Sequence, residues 1–103
     1  MMTLDDYQKE ASTTMLPQCR DLNYLGLGLA GETGEVCDKL KRLIRGDGRI
    51  TDDLLFELGD VLWYISQLAS FLNVDLSEVA QMNIEKLETR KKKELISGTG
   101  DHR

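Results

Sequence analysis

One histidine, one proline and two cysteines are all that this chain of 103 residues holds of those types. Each scarcity removes a class of function. The single histidine is His102, near the C-terminus. Carboxylate-bridged di-iron helical proteins need a Glu-x-x-His pair on their ligand helices, so that chemistry is excluded. No Ser/His/Asp or Cys/His arrangement is available either, so a covalent intermediate on a protein nucleophile is not expected. Cys19 and Cys37 lack the paired spacing of a zinc site and read as two reduced thiols of a cytoplasmic protein. An excess of positive charge is missing: 18 acids stand against 13 bases, for a net charge of −5. That argues against a nucleic-acid polymer as partner, because phosphate backbones demand a basic face. It leaves a nucleotide ligand open, since a metal can bridge acid and phosphate. No apolar run approaches the ~18 residues of a membrane span. The opening MMTLDDYQKEAS has neither the positive nor the apolar region of a signal peptide. Repeats, low-complexity segments and strand-like alternation are also absent.

What is there is helix. Hydrophobic residues make up 41% of the chain, enough for one small folded domain. Thr3 reads as the N-cap of a first helix running to about Leu16, just before Pro17. A loop, PQCRD, leads to a second helix over about 22–44, stopped by Gly46 in a left-handed C-cap. A third begins after Thr51, with Asp52 and Asp53 in its first turn. It ends near Leu72, with Asn73 as a left-handed stop. A fourth opens at Asp75, with Glu78 completing a capping box, and runs to about Lys93. The expected architecture is all-α, a four-helix bundle-like domain over residues 1–93 with an irregular glycine-rich tail over 94–103. Long apolar helices in so short a chain leave apolar surface over, which predicts a homo-oligomer.

Two pairs of acids interrupt the apolar faces. Glu32 and Glu35 sit in YLGLGLAGETGEV, and Glu57 and Asp60 in LLFELGDVLW. At ~100° per residue, Leu54, Leu58, Val61, Ile65, Leu68 and Leu72 share a face of the third helix. Glu57 lies ~60° from its centre, and Asp60 another ~60° beyond. In the second helix Leu25, Leu29, Val36, Leu40 and Leu43 form the stripe, with Glu32 on its edge and Glu35 flanking. Packing the stripes together brings four carboxylates close. Like charges ~5 Å apart repel by about 3 kcal/mol at an effective dielectric of 20. Bases can offset this, and Lys39 and Arg42 are near in sequence, Lys39 four residues beyond Glu35. A hard cation, Mg²⁺ or Mn²⁺, offsets it better and suits an all-oxygen cluster. Such an ion keeps positions open for phosphate oxygens, so the pattern points to phosphate chemistry.

With these words in view, the chain resembles the MazG-like nucleotide pyrophosphohydrolases, a branch of the all-α NTP pyrophosphatase superfamily that also holds the dimeric dUTPases. The family's metal signature is Glu-Glu-x-x-Glu, a spacer, then Glu-x-x-Asp. Here it stands as Gly31-Glu32-Thr33-Gly34-Glu35 and Glu57-Leu58-Gly59-Asp60. Gly31 takes the place of the first Glu, leaving four acids. The flanking LGLAGETGEV and ELGDVLWYI, the opening YQKEAS and the late NIEKLETRKKK fit the short members of the family. The resemblance implies hydrolysis of a nucleoside triphosphate between its α- and β-phosphates, giving a monophosphate and pyrophosphate. It implies Glu32, Glu35, Glu57 and Asp60 as metal ligands; chemically, one carboxylate, Glu32 or Glu35, could instead orient or deprotonate the attacking water. It also implies that Asn83 and Lys86 hold phosphates.

Lys39 and Arg90 join Asn83 and Lys86 as candidate substrate contacts, by charge; Asn83, Lys86 and Arg90 share one face of the fourth helix. Trp63, three residues after Asp60, is placed to stack on a base. Tyr7 and Gln8 are candidates to read a base edge. Two alternatives stay open: a dUTPase- or dCTPase-like enzyme with a narrow base choice, and a non-catalytic helical oligomerisation module whose acids serve solubility.

Overall fold

The computed structural model describes residues 1–46 and 52–97. Four α-helices carry the fold, and no strand occurs among the described residues: α1 (Leu4–Ser12), α2 (Leu22–Arg45), α3 (Asp52–Phe71) and α4 (Leu76–Ser97). α2 and α3 form an extensive antiparallel pair. α1 lies across α3, and α4 packs on α1 and α3.

The start of α1 follows the expectation and adds to it. Thr3 Oγ1 accepts from the Asp6 N–H at 3.0 Å, and the Asp6 carboxylate accepts from the Thr3 N–H at 3.1 Å. Both bonds hold the Asp6 carboxyl below its ordinary pKa. The end of α1 departs from the expectation, stopping at Ser12 rather than Leu16. Three consecutive hydroxyls explain this. Ser12, Thr13 and Thr14 donate to the carbonyls of Gln8, Glu10 and Ala11 at 2.9, 2.6 and 2.7 Å. They occupy acceptors that further helical turns would use. The PQCRD segment is more ordered than a plain loop, since Pro17–Cys19 form a 3-10 turn with Pro at its start.

Asp21 caps α2, its carboxylate accepting from the N–H groups of Asn23 at 2.7 Å and Tyr24 at 3.1 Å. At the other end Gly46 adopts φ 89°, the left-handed conformation that only glycine enters without cost. Asn73 closes α3 at φ 61°. The expected Thr51 cap and the segment 98–103 lie outside the described residues. α4 runs through Ser97, beyond the expected Lys93. Nothing in Glu94-Leu95-Ile96-Ser97 breaks a helix before the glycine that follows.

The N-terminus of α4 is held differently from the expected Asp75–Glu78 box. The N–H of Leu76 donates to Gln8 Oε1 at 2.7 Å, and the N–H and hydroxyl of Ser77 donate to the Asp5 carboxylate at 2.9 and 2.7 Å. α1 therefore caps α4 from across the fold. Gln8 completes the clasp by donating to Ser70 Oγ at 3.1 Å and to the Val74 carbonyl at 2.9 Å. Beneath it Gln67 bridges Ser66 and Ser12, and Ser66 donates to the Trp63 carbonyl at 2.7 Å. No buried side-chain polar atom among the described residues lacks a partner.

The apolar core is small: Ala11, Leu25, Ala69 and Leu76 are buried. Leu27 and Ile44 of α2, Leu55 and Phe56 of α3, and Met82, Ile84 and Leu95 of α4 face solvent in the isolated chain. The radius of gyration is 16.8 Å, against about 13 Å for a compact domain of ~100 residues. No helix among the described residues is long and apolar enough to cross a membrane.

A candidate metal centre between α2 and α3

The antiparallel register of α2 and α3 decides which acids meet. Glu32 from α2 faces Glu57 and Asp60 from α3, with one carboxylate oxygen of each inside a group spanning no more than 4.8 Å. The inner acids of the two sequence pairs, Glu32 and Glu57, are half-buried; the outer ones, Glu35 and Asp60, are exposed. Three of the four expected ligands thus converge on one point. Glu35 stays outside the tight group but near enough to act electrostatically on Glu32. An exposed carboxylate free to rotate turns away from three others when nothing attractive holds it.

The crowding shows in the protonation of Glu32. Desolvation, then the charges of Asp60, Glu57 and Glu35, then a hydrogen bond with Glu57, push its carboxyl above the ordinary 4.5. The neighbouring bases do not relieve this. Arg42 and Lys41 bind Asp38 instead, at 3.1 and 3.5 Å. The expected offset by Arg42 is therefore not seen, and no ion pair joins Lys39 to Glu35 among the described residues. At about 5 Å and an effective dielectric of 20, each fully ionised pair costs about 3 kcal/mol. Three convergent carboxylates, with no ion pair to a base among the described residues, offer the all-oxygen set that suits a hard divalent cation.

Aromatic residues flank the acids. Tyr7 of α1 is half-buried, and its hydroxyl pKa is raised by burial and by the charge of Asp60. Trp63, one turn beyond Asp60, donates its indole N–H to Thr14 Oγ1 at 2.8 Å. Its ring meets Tyr64 edge-on, centroids 4.9 Å apart. Gln8, expected to read a base, instead spends both amide hydrogens and its carbonyl on the α1–α3–α4 clasp and is buried. Lys39 is half-buried on α2. Asn83 and Lys86 are exposed on α4, and none of the described hydrogen bonds or ion pairs ties them to the acids; Arg90, also on α4, is partly covered.

The profile of the MazG nucleotide pyrophosphohydrolase domain matches residues 21–95, a span that holds all four acids of the signature. The chain belongs to the MazG family. Among curated proteins, this MazG chain is 46% identical over 114 aligned residues to a protein of Mycobacterium phage L5 described as "Gene 37 protein", with 99% of this chain and 100% of that protein covered. No solved structure matches with significance. The MazG match takes in α2, α3 and nearly all of α4, and leaves out α1, which carries Tyr7 and the Gln8 clasp.

Proposed function

We propose that this MazG protein is a Mg²⁺-dependent nucleoside triphosphate pyrophosphohydrolase, which adds water across the bond between the α- and β-phosphates to release a nucleoside monophosphate and pyrophosphate. The observation that carries the reading is the meeting of Glu32, Glu57 and Asp60 within 4.8 Å, with no ion pair to a base among the described residues. Those three residues would hold the ion, with Glu35 within electrostatic reach of them. A bound Mg²⁺, or Mn²⁺ in its place, neutralises and polarises the polyphosphate.

The remaining work falls to the chain's own side chains. Glu35 is exposed and outside the tight group, so its carboxylate is available to orient a water and take its proton; Glu32 is the alternative base. The hydroxyl joins one phosphorus, the bridging oxygen leaves with the other, and the proton stays on the carboxylate. Lys39, one turn from Glu35, supplies positive charge for the departing phosphate. Trp63, one turn beyond Asp60, and Tyr7, within electrostatic reach of Asp60, are the aromatic side chains that would hold a base. Asn83, Lys86 and Arg90 hold phosphates from α4. The exposed apolar residues on α2, α3 and α4 support a homodimer or homotetramer as the working form.

The test is a panel of ribo- and deoxyribonucleoside triphosphates with Mg²⁺, read by the phosphorus product released. Pyrophosphate in amounts equal to the monophosphate is expected. Release of orthophosphate, or no turnover of any triphosphate at micromolar enzyme, defeats the proposal.

A further inference from the structure

One glycine in the α2–α3 interface differs from its neighbours. A Cβ built on Gly28 would overlap Cε1 and Cζ of Tyr64 and come within 2.7 Å of its Oη. Gly26, Gly31, Gly34 and Gly59 would each place a Cβ in open space. The tyrosine ring therefore rests directly on the α2 backbone, in the space that any other residue at 28 would fill. The ring is itself held on two sides. Trp63 meets it at 81° with centroids 4.9 Å apart, and Tyr24 lies 6.4 Å away, tilted by 40°. Cys19 and Tyr64 lie close enough to the Tyr24 hydroxyl to push its pKa up to about 12.

The position of this contact along the helices matters. Glu32 lies one turn after Gly28 on α2, and Asp60 lies one turn before Tyr64 on α3. Because the helices are antiparallel, stepping one turn from the Gly28–Tyr64 contact along both, about 6 Å, arrives at the Glu32–Asp60 juxtaposition. We propose that Tyr64 seated on Gly28 is the positioning contact that sets the spacing and register of α2 against α3, and so brings the carboxylates of Glu32, Glu57 and Asp60 to a common point. Tyr64 is a positioning residue here; it acts through the acids. The inference rests on the reading of those acids as a divalent-cation site. Mg²⁺ and similar ions demand oxygen ligands close to 2.0–2.1 Å, so a shift of even ~1 Å between the helices removes a ligand.

The test measures Mn²⁺ affinity of the full chain by EPR of the free ion, with circular dichroism as the check on folding. Gly28→Ala is expected to keep helical content and lose at least tenfold in Mn²⁺ affinity. Tyr64→Leu, which removes the ring, is expected to weaken Mn²⁺ binding severalfold. The double variant is expected to bind no worse than Tyr64→Leu alone, because the added methyl then meets no ring. Parent-like affinity in Gly28→Ala overturns the proposal, as does a double variant whose losses simply add. If Gly28→Ala fails to fold, Tyr64→Leu decides: parent-like Mn²⁺ affinity there overturns it. A parent chain that binds no Mn²⁺ sinks the cation site itself. In that case NMR still reports the contact, through the expected cross-relaxation between Gly28 Hα and the Tyr64 ring protons.

Discussion

Two polar clusters sit in this small fold, and they are built on opposite terms. At the α1–α3–α4 junction Gln8, Gln67, Ser66, Ser70 and Asp5 interlock, and their donors meet acceptors supplied by the chain. Between α2 and α3, Glu32, Glu57 and Asp60 converge, and no ion pair joins them to a base among the described residues. In sequence the two look alike, as polar residues set into apolar helical faces. The difference lies in whether the fold brings the complementary partner. Where it does, the cluster ties helices together with partners from the chain itself. Where it does not, like charges stand close together, and on the proposed function a divalent ion completes the site.

The sharpest way to break that comparison is Glu57→Gln. In the acid cluster a lost charge should abolish function while relieving repulsion. Hydrolysis is expected to fall by on the order of 10³-fold, corresponding to several kcal/mol of lost transition-state stabilisation. The melting temperature in EDTA is expected to rise or hold. A fall in melting temperature with activity retained would make the acids structural, like Gln8.

The mirror experiment is Gln8→Ala. It strips partners from the Leu76 N–H, the Val74 carbonyl and Ser70 Oγ, so a loss of about 2–3 kcal/mol in urea unfolding is expected. The turnover number of the folded fraction should stay at the parental value. Adding the missing partner to the other cluster should do the reverse of that damage. At a hundredfold excess over its dissociation constant, Mg²⁺ is expected to stabilise the parent by about 2.7 kcal/mol. Calorimetry should show this shift shrinking in Glu57→Gln and surviving intact in Gln8→Ala.

The pH dependence without metal sharpens the contrast further. The Glu32 carboxyl is raised above its ordinary 4.5, so in that range the folded chain holds a proton the unfolded chain has released. Its contribution to stability is present below that value and is lost as pH rises through the raised folded pKa. Metal-free protein should therefore lose stability on going up from about pH 4.5, and Glu32→Gln should flatten that slope, as followed by thermal melts across a pH series. The smallest effect belongs to Trp63→Phe. Losing the indole bond to Thr14 should cost about 1 kcal/mol, and it should alter the Michaelis constant more than Mn²⁺ affinity if the ring lines the base.

Much of this architecture is legible in residue order, and what depends on distant partners is not. The left-handed stops at Gly46 and Asn73 and the inner-outer ordering of each acid pair follow from local chemistry and helical periodicity. The early end of α1 was also within reach, since three adjacent hydroxyls in Ser12-Thr13-Thr14 are a local signal. Gln8 was not, because its partners lie more than sixty positions away. The same holds for Tyr64: nothing around it announces a ring that needs a glycine on another helix.

The order of the residues alone determined an all-helical chain, the places where its helices stop, and two acidic edges poised beside apolar stripes. Those outcomes depend on interactions between residues a few positions apart. Only the tertiary structure decided that Asp60 joins Glu32 and Glu57 while Glu35 stays out, and that Gln8 serves the fold. Those outcomes turn on helix register and on how closely two backbones approach, and a shift of ~1 Å between helices, which no local pattern encodes, is enough to change them.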